Sequence, residues 1–166
     1  MTSGKRLLIV WHSRTGATGQ MVDAVLAAVA PNPAIHIVAL RAEVASTSDV
    51  LAADALVFAA PENLAGLSGA MKEFFDRSYY DLLERCNGKA YASIVCAGSD
   101  GEGATRQIDR IATGLRLRRV APAIIINTAA QTREAILAVK HLPDADLARA
   151  RELGSLLAEG LALGIF

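Results

Sequence analysis

The chain has 166 residues, with 17 Lys plus Arg against 17 Asp plus Glu, 52% apolar residues and 20% charged ones. That length suits a single domain over 1–166 burying roughly 70% of its unfolded surface, and the balanced charge supplies no field for nucleic acid or an anionic membrane. Cys86, Cys96 and the three histidines (His12, His36, His141) lack the spacing of a disulfide framework or metal site, and no apolar run reaches the ~18 residues of a membrane span or has the form of a signal peptide, so a cytoplasmic protein is expected.

In chain order, Leu7-Leu8-Ile9-Val10-Trp11 reads as a strand, and Val22, Val25, Leu26 and Val29 share one face of the helix that follows. Between them lies His12-Ser13-Arg14-Thr15-Gly16-Ala17-Thr18. A strand, a hydroxyl-rich turn and a helix in that order build an anion site. The first N–H groups of the helix are unpaired, its dipole adds positive charge, and Ser13, Thr15 and Thr18 can each donate a further bond. Gly16 lets the backbone approach a phosphate. The turn lacks the Gly-Lys-Ser/Thr ending of a triphosphate loop and the GxGxxG of a dinucleotide site, which leaves a single terminal phosphate as its guest. The same residues also serve as ordinary caps and turn formers.

Ile35–Leu40 reads as the second strand, and Ser48 as the cap of a short helix running through Ala53. Ala55–Ala60 is a continuous apolar run, as in a parallel strand buried on both faces. Met71, Phe74, Phe75 and Ser78 mark the third helix. Tyr91–Cys96 is the fourth strand, followed by a helix with Ile108, Ile111, Ala112 and Leu115, and Ala123–Ile126 is the fifth. Thr128–Leu142 reads as irregular with one helical turn. A last helix opens near Asp144 and carries Leu153, Leu156, Leu157 and Leu161 on one stripe, ending in the uncharged tail Leu161–Phe166. Alternating strands and helices make an open, doubly wound α/β fold around a five-stranded parallel sheet, with helices on both faces.

In strand order 2-1-3-4-5 the crevice opens between strands one and three. The loops at that rim are His12–Thr18, Pro61–Ser68 and Ala97–Gly103, the last with three glycines in seven residues. Those glycines let the main chain lie against a flat ring. Glu62 and Asp100 stand where carboxylates meet solvent or cap a helix, or tune the electronics of a bound ring. Arg14 is placed for a phosphate or for solvent, and His12 for a packed turn. Cys96 reads as a small core residue, Tyr79 and Tyr80 as a helix end near the rim, and Arg116–Arg119 as a solvated edge.

Three matches then coincide. Ser13-x-Thr15-Gly16-x-Thr18 resembles the phosphate loop of flavodoxins. Pro61-Glu62-Asn63, with Leu67–Lys72 and Phe74–Arg77 downstream, is similar to the flavin-contacting loop and helix of NAD(P)H-dependent FMN reductases and quinone reductases. Gly98–Gly103 resembles the glycine-rich third loop of that superfamily. The resemblance spans about residues 5–127. It implies a flavodoxin-like fold with non-covalent FMN: Ser13, Arg14, Thr15, Gly16, Ala17 and Thr18 at the phosphate, Pro61, Glu62, Asn63, Leu64 and Ala65 bordering the ring, and Ala97, Gly98, Ser99, Asp100 and Gly103 at its pyrimidine side.

The departures shape the expected function. Electron-transfer flavodoxins are usually acidic and sandwich the flavin between aromatic side chains. Here the net charge is zero and neither ring loop holds Phe, Tyr or Trp. Leu64 stands where the reductases often have an aromatic or small polar residue. The expectation is an NAD(P)H-dependent FMN oxidoreductase passing electrons to a quinone or similar small acceptor. No catalytic side chain and no metal are needed, because the flavin carries the chemistry. An electron-transfer carrier and a binding domain that has lost its cofactor are the alternatives. The apolar tail and the habit of the related reductases point to a homo-oligomer, a dimer first.

Overall fold

The computed structural model describes residues 4–166, so the first three residues of the expected domain lie outside the description. Strand β1 (Lys5–Trp11) forms from the expected apolar run, with Leu7, Leu8, Ile9 and Val10 wholly buried. Helix α1 (Ala17–Val29) follows, then β2 (Ile35–Arg41) and α2 (Thr47–Ala52). The cap of α2 is Ser46, not Ser48. Ser46 Oγ accepts the Asp49 N–H while the Asp49 carboxylate accepts the Ser46 N–H, a reciprocal box that Ser48 has no acid at the right spacing to form.

Strand β3 (Ala55–Asn63) runs beyond the apolar stretch and turns back through Leu64 and Ala65 into β4 (Gly66–Leu67). Helix α3 (Gly69–Leu82) buries Met71, Phe74, Phe75 and Ser78, the four residues its spacing marks. Strand β5 (Ala90–Ala97) is buried at every position, as a central parallel strand should be. After α4 (Glu102–Gly114), the fifth strand position is filled by two pieces, β6 (Arg118–Arg119) and β7 (Ile124–Asn127). Both pair with β5, β6 at its start and β7 at its end. Pro122 lies in the break, where a residue without an N–H cannot extend a ladder. A short helix α5 (Arg133–Leu137) interrupts the long connection, and α6 (Asp144–Ala162) ends the fold.

The sheet order is β2-β1-β3-β5, then β6 and β7, all parallel apart from the β3–β4 hairpin. This is the expected 2-1-3-4-5 sheet with its fifth strand broken. Side chains alternate along each strand, so the two faces bury different sets. Leu7, Ile9 and Ile94 meet Val22 and Val25 of α1 and Leu153, Leu157 and Leu161 of α6. Leu8, Val10, Phe58 and Val95 meet α2, α3 and α4 through Val50, Phe74 and Ile108. Leu156 departs from the expected stripe: it is 43% exposed, on the far side of α6 from the sheet.

The tail turns back at Gly164. The Ile165 N–H bonds the Gly160 carbonyl, and Phe166 folds over Gly160, leaving Leu163 and Ile165 exposed. Tyr79 and Tyr80 correct another expectation. A helix that starts at the carboxyl rim ends at the opposite one, and there Tyr79 packs over Gly114 at the end of α4 while Tyr80 is exposed.

Candidate functional site

The carboxyl ends of β1, β3, β5 and β7 converge on one cavity of about 460 Å³. Ten of the expected residues line it: Ser13, Arg14, Thr15, Ala17 and Thr18 from the first loop, Pro61, Glu62 and Asn63 from the second, and Ala97 and Gly98 from the third. Gly16 is the N-cap of α1 at φ +100°, a left-handed conformation that costs a side-chain residue and that glycine adopts freely. Leu64 and Ala65 form the hairpin tip, Ser99 and Asp100 lead into α4, and Gly103 lies in its first turn. None of these six lines the cavity.

The phosphate-loop end is rich in unmet donors. The N–H groups of Ala17, Thr18 and Gly19 are the first three of α1 and have no helical acceptor. Ser13 Oγ accepts the Gly16 N–H at 3.2 Å and so keeps its own proton to donate. Thr18 Oγ1 is buried with no hydrogen-bond partner among the described residues. A buried hydroxyl left unpaired costs free energy unless something fills the place.

The walls are braced by contacts between loops. Glu62 caps α4, its two carboxylate oxygens accepting the N–H groups of Gly101 and Ala104 at 2.9 Å each. Gly103 allows the hairpin to approach that helix, since a Cβ there would collide with the Ala65 carbonyl oxygen. Gln107 accepts the Leu67 N–H at 2.5 Å from the next turn. On the other side, Asn127 donates to the Ser99 carbonyl at 2.7 Å and Gln131 to the Gly98 carbonyl at 3.1 Å.

Below the loops, His12 Nδ1 lies 2.9 Å from Ser68 Oγ, joining the end of β1 to the start of α3. Burial holds the His12 imidazole below its usual range against the opposing pull of Glu43, with Arg41 and Arg14 adding to the effect. The imidazole is neutral at pH 7 and acts as a packed hydrogen-bonding group. Cys96 forms part of the floor, and burial pushes its thiol up to about 11.

Six lining residues lie outside the expected set: Cys96, Thr128, Ala130, Ile136, Leu137 and Lys140. Five of them come from the connection between β7 and α6, which lies across the mouth of the first loop. Its unusual length and the apolar run Ala135–Val139 are the signals in the sequence that it covers something.

A family model described as NADPH-dependent FMN reductase matches residues 42–131, more than half of the chain. The chain belongs to this family. It is an FMN-binding flavoprotein of flavodoxin-like fold. It is also 30% identical over 98 residues to a flavodoxin of Aquifex aeolicus (strain VF5); that match takes in 59% of this chain and 53% of the relative, so the chain spans about half of that protein's length. Among solved structures, a flavodoxin from the domain Archaea superposes with a TM-score of 0.78 at 18% identity, over 95% of this chain and 99% of that one. A flavodoxin, WrbA-like protein from Agrobacterium tumefaciens gives 0.72 at 19% identity, over 96% and 99%. At such identities these structures speak for the fold alone.

The residues present fit FMN. The orphaned Thr18 hydroxyl and the free N–H groups suit a phosphate, and Pro61, Ala97, Ile136 and Leu137 give the cavity the apolar walls that a planar ring requires. No helix among the described residues is long and apolar enough to cross a membrane, and no metal-ligating cluster is found among them.

Proposed function

We propose that this protein is an NAD(P)H-dependent FMN oxidoreductase that passes electrons from a reduced nicotinamide to a quinone or similar small acceptor. The observation that carries this reading is the lining of the cavity: a phosphate-binding end adjoins walls without a single Phe, Tyr or Trp. Side chains that stacked on the flavin would compete with a planar nicotinamide or quinone for the same surface.

When bound, FMN supplies the hydride chemistry. The chain binds and orients it. Ser13, Thr15 and Thr18 hydroxyls, with the N–H groups that open α1, hold the phosphate, and Arg14 and Lys140 add positive charge beside it. Pro61–Ala65 borders the ring on one side and the main chain of Ala97 and Gly98 on another, with Ser99, Asp100 and Gly103 bracing that loop. Because Glu62 and Gln107 tie the hairpin to α4, these walls are set before the ligand arrives. We read residues 1–166 as one domain that works as a cytoplasmic homodimer.

The match to the Aquifex flavodoxin favours a second reading, an electron carrier reduced by a separate protein. Anaerobic mixing of the FMN-loaded protein with NADPH and with NADH separates the two. Direct bleaching of the flavin absorption supports the oxidoreductase, whereas bleaching that requires an added reductase protein supports the carrier.

A further inference from the structure

The connection from Thr128 to Leu142 is longer than joining β7 to α6 requires, and its attachment is specific. The Lys140 N–H donates to the Thr15 carbonyl at 2.8 Å. Gln20, in the first turns of α1, makes three side-chain bonds, two of them to the same stretch. Its Nε2 donates to the carbonyls of Lys140 (2.7 Å) and Gly16 (3.0 Å), and its Oε1 accepts the Leu142 N–H (3.0 Å). Lys140 Nζ folds back on α5 and donates to the carbonyls of Ala135, Ile136 and Ala138 at 2.8, 2.9 and 2.7 Å, which satisfies the open end of that helix. Gln20 does not line the cavity.

These bonds also aim the loop. In a trans peptide the carbonyl and the N–H of one unit point in opposite directions. With the Thr15 carbonyl turned to the strap, the Gly16 N–H turns to Ser13 Oγ. With the Gly16 carbonyl held by both nitrogens of Gln20, the Ala17 N–H faces the other way, and Ala17 lines the cavity. One peptide unit thus joins residues 131–142 to Ser13, and the next joins Gln20 to an N–H that faces the cavity.

We infer that residues 131–142 and the phosphate loop form one binding unit, with Gln20 as the positioning residue that couples them. Docking of the strap sets the loop for an anion, and an anion on the loop holds the strap down, as reciprocity of coupling demands. The inference rests on the reading that Ser13–Thr18 takes the FMN phosphate and deepens it by assigning Gln20 and the strap to that site.

Hydrogen–deuterium exchange on the parent protein tests the coupling. FMN or inorganic phosphate should slow exchange at the Lys140 and Leu142 amides by about tenfold, the phosphate doing so without a ring to touch Ile136 and Leu137. Gln20→Met keeps the side chain's length and removes its hydrogen bonds; FMN should then bind about tenfold more weakly, with a smaller loss for riboflavin. Unchanged FMN affinity in the variant, or an equal loss for FMN and riboflavin, overturns the inference. So do parent amides indifferent to bound FMN, a result that stands even if the variant fails to fold. A parent that binds no FMN instead refutes the underlying reading, and the inference with it.

Discussion

Thr18 presents a buried hydroxyl without a partner among the described residues at the start of α1, and Thr15 stands half-buried one turn before it. If both donate to the FMN phosphate, Thr15→Ala with Thr18→Ala removes two bonds to a charged group and should weaken FMN by roughly 2–3 kcal/mol. Riboflavin, which has no phosphate, should be almost unaffected. Titration by flavin fluorescence quenching checks this, and equal FMN affinity in variant and parent would remove the assignment. At this scale the hydroxyl loop was legible because its residues are local: six consecutive positions running from the end of one strand into the first turn of a helix. The roles of Glu62 and Gln20 were not, because their partners lie 39 to 42 and 120 to 122 residues away along the chain. A carboxylate in a loop reads alike whether it faces a ring, water or a distant helix end.

Among the elements, the buried strands announced themselves by continuous apolar runs, and α1, α3 and α4 by helical spacing. What spacing could not show was where a strand outruns its apolar stretch. Strand β3 continues through Pro61-Glu62-Asn63, so the second loop is a hairpin with a two-residue turn instead of an irregular rim segment. Leu64 and Ala65 fill that turn at φ 52° and 63°, the positive values that a type I′ turn needs and that favour Asn-Gly. Neither residue has the usual turn chemistry, and Leu64 is fully exposed, so its side chain contributes no burial. Leu64→Asn with Ala65→Gly should therefore stabilise the protein by about 1–2 kcal/mol. Urea denaturation provides the measurement; a lower midpoint in the variant would show that Leu64 makes a contact this hairpin alone does not explain. The fifth strand was harder to read, since Pro122 splits it and two short pieces share its place beside β5.

For the molecule as a whole, two layers of helices leave one face without a covering element. Leu156, Leu163 and Ile165 stand 43%, 74% and 65% exposed along the outer side of α6 and its tail. Burial of Leu161 against the sheet and of Gly160 under Phe166 leaves the other apolar residues of that tail uncovered. A second copy would cover the rest, so light scattering coupled to size exclusion should give about twice the chain's 17.4 kDa. A mass near 17.4 kDa contradicts the dimer. The chemistry makes a sharper demand. The cavity lining carries no aromatic side chain, and under the proposed oxidoreductase reading nicotinamide and acceptor use the same uncovered flavin face in turn. Steady-state turnover by the FMN-loaded protein, with NADPH or NADH varied against a quinone, tests this most directly. Parallel lines in double-reciprocal plots, with no other protein present, are the predicted result. No oxidation of either nicotinamide unless a reductase is added would contradict the account.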